Sequence, residues 1–191
     1  MIITFSGKSC SGKSSLASYL CTFNERFVHL SIDEIGHDVT AEEDVRKAIS
    51  MALDIPLEQL TRKTLGAAVF NSQEKMQILT DITWQRMERK IDDFIEANSD
   101  KIIILDWILI PKTKYFEKAD LNILVQCSSE IRVDRAVGRD GITKEKFFER
   151  ERAAIEYSEE TFDYVINNDS LTNSRMEIRR IYDESIVSGK F

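Results

Sequence analysis

Cysteine is scarce: Cys10, Cys21 and Cys127 are the only three in 191 residues, with no close pair and no zinc-ligand spacing. That excludes a disulfide-stapled scaffold and suits free thiols in a reducing compartment. Two histidines are too few for a His-based metal centre. No apolar run nears the roughly 20 residues of a membrane span, and Met1–Phe5 lacks the basic start of a secretory leader. The expectation is a cytoplasmic protein with no membrane partner. Basic residues are also outnumbered, 26 Lys and Arg against 33 Asp and Glu, for a net charge of −7. A broad nucleic-acid-binding face needs the opposite balance. A few basic side chains lining a cleft can still serve a small anionic ligand. Nothing in the composition bears on oligomeric state.

What is present belongs to an ordinary globular chain, 42% hydrophobic and 31% charged. Short β-branched and aromatic runs at Ile2–Phe5, Phe27–Leu30, Ile102–Leu105, Leu121–Val125 and Tyr164–Ile166 predict strands. Ile102–Leu105 is unbroken, as in a sheet covered on both faces. Helical spacing is expected over Ser14–Phe23, Glu42–Leu53, Ser129–Val137, Thr143–Glu156 and Ser174–Ser188. Two or three further helices are expected between Leu57 and Asn98. Strands alternating with helices imply an α/β fold, a three-layer sandwich around a parallel sheet. With two prolines, seven glycines, no repeat and no linker, residues 1–191 read as one domain. The segment from about 40 to 98 then becomes a helical insert.

Gly7-Lys8-Ser9-Cys10-Ser11-Gly12-Lys13-Ser14 fits the Walker A pattern between a predicted strand and a predicted helix. Glycines let a backbone curl around phosphate with its N–H groups inward, and the following helix N-terminus adds partial positive charge. Lys13 is assigned to the β- and γ-phosphates of ATP and the Ser14 hydroxyl to magnesium. Gly7, Ser9, Cys10, Ser11 and Gly12 form the cradle, and Ser15 faces the α-phosphate. The alternative, a glycine-rich turn with a chance lysine, does not account for the strand before and the helix after. Cys10 reads as a small residue at a variable loop position.

Asp33 follows the second strand at the sheet edge that carries the loop. It reads equally as a base for a substrate hydroxyl or as the cap of the next helix. Asp106 ends Ile102–Leu105 in a Walker B pattern and is a second candidate for magnesium. Arg135 and Arg139, four apart, suit a mobile lid over a transferring phosphoryl group. Arg132 reads instead as part of a solvated face with Glu130 and Asp134, and Glu145–Glu156 as another. His37 is a cap or a substrate contact; Trp84 and Trp107 are core or cleft wall.

Taken in order, these features resemble the dephospho-coenzyme A kinase family over roughly Ile3–Asp169. Beyond the loop, Asp33-Glu34-Ile35-Gly36-His37 is similar to the family's Asp-x-Ile-x-Arg/His segment. Leu60–Leu65 with Val69-Phe70-Asn71 is similar to a stretch of its helical insert. Arg135, Arg139-Asp140 and Thr143 look like its lid, and Val165–Asp169 like its closing strand and turn. The resemblance implies ATP-dependent transfer to the ribose 3′-hydroxyl of dephospho-coenzyme A, with magnesium. Asp33 becomes the general base, Lys13 and Arg139 stabilise the transferring group, and Arg135 and Asn168 join the ATP side. His37, Arg62, Trp84 and Asp106 join Asp33 on the acceptor side. The insert becomes acceptor-binding, and residues about 132–156 the lid.

Two stretches depart from the family pattern. Trp84-Gln85 stands where a His-Pro pair is usual, and Lys112 near an expected Glu. A related kinase acting on a nucleoside, nucleotide or sugar hydroxyl is therefore the alternative. A regulatory module that only binds nucleotide is the second, although it has no use for Asp33, Arg135 or Arg139. A switch GTPase is disfavoured because the Asn-Lys-x-Asp signature is absent.

Overall fold

Each apolar run expected to be a strand is one in the computed structural model, which describes residues 1–70, 72–151 and 154–188. The strands are β1 (Ile2–Ser6), β2 (Phe27–Ser31), β3 (Ile102–Asp106), β4 (Leu121–Gln126) and β5 (Tyr164–Asn167). All pair in parallel, in the order β2-β3-β1-β4-β5. Parallel strands need both faces covered. One face, with Ile3, Phe5, Ile104, Ile123 and Val125, is sealed by Leu16, Ala17 and Leu20 of α1 (Lys13–Cys21) and by Ile178 and Ile181 of α9 (Leu171–Ile181). Against β1, α6 (Lys114–Lys118) buries Tyr115, 1% exposed. With the sheet so ordered, the loop after β1 and Asp106 at the end of β3 share the C-terminal edge, where α/β folds bind ligands.

The chain divides into two compact units, Met1–Ser31 with Asn98–Phe191, and Ile32–Ala97. The second is all helical among its described residues: α2 (Ile32–Ala41), α3 (Glu43–Leu53), α4 (Arg62–Val69) and the 25-residue α5 (Gln73–Ala97). α5 is its spine, with α2, α3 and α4 packed along it. A capping box between Thr61 and Thr64 starts α4. Arg86 on α5 bonds Glu42 (2.6 Å) and Asp44 at the start of α3, and Lys90 reaches Glu42 (3.1 Å). The Arg86 guanidinium holds both carboxyls below their usual range.

Several boundaries differ from the sequence reading. A helix not foreseen, α2, starts directly from β2, so Asp33 lies within its first turn rather than capping a later helix. α7 (Ser129–Asp140) runs three residues past Val137 and contains Arg135 and Arg139, which are thus on a helix and not on a mobile linker. The next helix, α8 (Lys144–Glu151), ends before Glu156, and residues 154–158 are not helical. The C-terminal helix starts earlier, at Leu171, where Ser170 caps it, and passes into a π-type turn over Tyr182–Val187. Asn71 and residues 152–153 lie outside the described residues. No helix among the described residues is long and apolar enough to cross a membrane.

Ile104 is 0% exposed in the middle strand of one sheet half, under the α1–α9 layer. Ile104→Ala is expected to cost about 2–5 kcal/mol through lost burial plus a cavity. Urea unfolding should show a lower midpoint at unchanged slope; a loss under about 1 kcal/mol would mean that this layer is not packed as described.

Candidate active site

Between β1 and α1 the chain turns through Gly7 (φ 157°) and Gly12 (φ 92°). A side chain at Gly12 would be strained and would meet the Asn168 amide. One at Gly7 would meet the Val125 carbonyl and, 2.6 Å away, Ser11 Oγ. Cys10 adopts a left-handed φ of 62° without being glycine. Its side chain is buried with Val133, Ala136 and Phe147, so tertiary packing offsets the backbone cost. The position is not a tolerant surface one.

The loop carbonyls are turned outward and held there. Arg135 Nη1 donates to Cys10 O (3.2 Å) and Ser11 O (3.1 Å), Asn168 Nδ2 donates to Ser11 O (2.7 Å), and Arg132 Nη1 lies 3.4 Å from Ser9 O. In a planar trans peptide the N–H opposes the C=O. The Cys10 and Gly12 amides therefore face away from these anchors, alongside the unpaired first N–H groups of α1. No acidic residue occupies the first turn of α1. The result is a nest for an anion.

The anchors are themselves anchored. Asn168 is 2% exposed, and its Oδ1 accepts from Ser174 Oγ on α9 (2.6 Å). Arg135 Nη2 also donates to Asn168 O (2.9 Å). Arg132, expected on a solvated face, is buried. It pairs with Glu151, donates to Cys127 O (3.2 Å), and stacks 5.5 Å from the Phe147 ring centroid. Its place on the Val133–Ala136 side of α7 was the signal that the charge pattern hid. Lys8 reaches Glu156 (2.8 Å), and the Tyr157 hydroxyl donates to Ile108 O (2.8 Å).

An open cleft of about 620 Å³ fronts the loop, lined among others by Lys13, Ser14, Ser15, Arg135, Arg139 and Asn168. The first unit thus brings together the ATP-side residues of the sequence reading. Lys13 is 8% exposed, and its Nζ lies 3.8 Å from Asp106 Oδ1. Arg139 is exposed and paired with Asp140 (2.7 Å). The Ser14 hydroxyl and the buried, unbonded Asp106 carboxylate are oxygen donors of the kind magnesium takes, few in number because phosphates and water complete its shell.

The second unit carries Asp33, His37, Arg62 and Trp84. Asp33 is exposed in the first turn of α2, four residues before His37 on the same helix. Burial and then the Arg62 charge push the His37 pKa below its ordinary value, against the opposite pull of Asp33. His37 therefore stays neutral near pH 7. Trp84 is half-buried on α5.

Asn168→Ala removes the brace of the Ser11 carbonyl and one of the two acceptors of the Ser174 hydroxyl. It is expected to cost about 1–3 kcal/mol, read as a lower melting temperature, and to weaken ATP binding in calorimetry. Unchanged ATP affinity would show that the loop holds its shape without this brace. Burial, with a bond to Asp169, pushes the Cys127 thiol up to about 11. Cys127 should stay a thiol at neutral pH and react with a disulfide reagent only as pH rises toward that value; fast labelling at pH 7, located by peptide mass, would contradict this.

Comparison with known proteins matches this geometry. The family model described as Dephospho-CoA kinase covers residues 1–174. The dephospho-CoA kinase of Corynebacterium glutamicum is 28% identical over 195 residues, spanning 95% of this chain and 96% of that one. A Thermus thermophilus crystal structure superposes with a TM-score of 0.79 at 21% identity, covering 97% of this chain and 98% of the other. The dephospho-CoA kinase structure from Campylobacter jejuni gives 0.60 at 22% identity, with 96% of each chain covered; at such identities both show the fold. With a phosphate nest on a five-stranded parallel sheet and a family match over nearly its whole length, the chain belongs to the dephospho-CoA kinase family.

Proposed function

We propose that the protein transfers the γ-phosphoryl group of ATP to the ribose 3′-hydroxyl of dephospho-coenzyme A, the last step of coenzyme A biosynthesis. The observation that carries this is the loop whose carbonyls are tied back to Arg135 and Asn168, with Lys13 at its base, in a chain of this family. In the reaction the acceptor oxygen forms a bond to the γ-phosphorus and the bond to the bridging oxygen of ADP breaks. Loop amides and the α1 N-terminus bind the phosphate chain, and Lys13 neutralises charge that builds on the transferring group. Asp33 takes the proton of the attacking hydroxyl. Arg139, exposed on α7, exchanges Asp140 for phosphate oxygens. When bound, magnesium supplies charge neutralisation on the phosphates, held by Ser14 with Asp106 as the second candidate.

His37, Arg62 and Trp84 contribute to acceptor binding in this reading. Residues about 40–98 serve as the acceptor-binding insert and about 132–156 as the lid of one kinase domain, 1–191. Free cysteines, with no disulfide among the described residues, support a cytoplasmic setting. The net charge of −7 supports small-molecule partners and not nucleic acid. Trp84-Gln85 and Lys112 favour one further reading, a kinase of the same architecture acting on another nucleoside, nucleotide or sugar hydroxyl.

Release of ADP from ATP and magnesium should depend on dephospho-coenzyme A and yield coenzyme A by mass. Lys13→Ala and Asp33→Asn should each lower turnover by about a hundredfold or more with the fold intact. ATP binding without turnover on this acceptor, but with turnover in an acceptor panel, would move the function to the second reading. Near-normal turnover in either variant would overturn the site assignment.

A further inference from the structure

Asp106 is the most enclosed charged side chain among the described residues of the first unit, 1% exposed at the end of β3. Its Oδ1 lies 3.8 Å from Lys13 Nζ and its Oδ2 3.4 Å from His29 Nε2. His29 sits on β2 opposite Ile104, so the strand alternation puts it on the same sheet face as Asp106. Neither approach is a hydrogen bond. Both carboxylate oxygens and His29 Nε2 are buried without a hydrogen-bond partner. A pair kept only for stability would close to bonding distance, because an unmet buried polar atom is costly. A carboxylate with both oxygens unmet, beside an equally unmet imidazole nitrogen, marks a site arranged for something other than the fold.

Lys13 cannot serve Asp106 and the phosphate chain equally. Once nucleotide draws the ammonium away, the buried carboxylate keeps the imidazole beside Oδ2. A neutral imidazole suffices for that, since one N–H can meet Oδ2 while Oδ1 stays open. We propose that His29 is a positioning residue: it holds Asp106 by Oδ2 so that Oδ1 is presented to the magnesium of the bound nucleotide. The proposal rests on the reading of Asp106 as a metal-side carboxylate, and it concerns nucleotide binding alone. The chemistry is that of an outer partner orienting a ligating carboxylate.

The test is ATP affinity by calorimetry, with magnesium and with EDTA, in the absence of any acceptor. The wild-type protein should bind ATP more tightly with magnesium. In His29→Leu that gain should fall about tenfold, with affinity in EDTA unchanged. His29→Gln, which keeps a donor, should retain most of the gain. Asp106→Asn should remove most of it, and adding His29→Leu should then change nothing further. The proposal is overturned by a full gain in His29→Leu, by a further loss on top of Asp106→Asn, or by a wild type with no gain. If His29→Leu does not fold, His29→Gln decides: a loss as complete as that of Asp106→Asn overturns it. Because no acceptor is present, failure of dephospho-coenzyme A as a substrate leaves this result standing.

Discussion

The first unit depends on the way the phosphate-loop carbonyls are held. A strand-to-helix turn of six residues has no ladder of its own, and its peptides can point either way. Here the carbonyls of Ser9, Cys10 and Ser11 are drawn outward by Arg132, Arg135 and Asn168, and the burial of Cys10 fixes the tightest turn. Those side chains come from α7 and from the end of β5, far along the chain. The loop is consequently shaped by β4 and β5 being in place beside β1, and the sheet order is part of the binding site.

Charge is distributed to the same end. The chain is acidic as a whole, with a net charge of −7, yet Lys13, Arg135 and Arg139 line one cleft without an acidic residue in the first turn of α1. A focused positive site on a negative molecule attracts phosphate locally and gives no extended surface for polyanions. Burying Arg132 with Glu151 gains little stability in itself, because desolvation offsets the attraction. Its effect is geometric: it ties α8 to α7 and α7 to the loop.

Much of the fold and of the candidate nucleotide site was legible in residue order. The five apolar runs, the Gly7–Ser14 spacing and the carboxylate ending Ile102–Leu105 each carry a local signature, since strands, glycine turns and strand-end carboxylates are set by neighbours in sequence. The second unit was less legible. Arg62 was singled out by resemblance alone, the resemblance also decided between the two readings of Asp33, and α2 was missed because Ile32–Ala41, with Gly36 and Thr40 in it, is a poor helix by propensity. The helix exists because its apolar side packs on α5.

By itself the sequence determined a parallel α/β sheet with a phosphate loop at its N-terminal strand, because periodicity and glycine placement act over a few residues. Only the tertiary structure decided which side chains enforce that loop. Arg132 reads as surface charge until α7 is packed, Asn168 as a turn residue until it meets the Ser11 carbonyl, and His29 as an ordinary strand residue until β2 lies beside β3. Hydrogen bonds and buried charge depend on distance in space, and residues 29 and 106 or 11 and 168 become neighbours only through the order of the sheet.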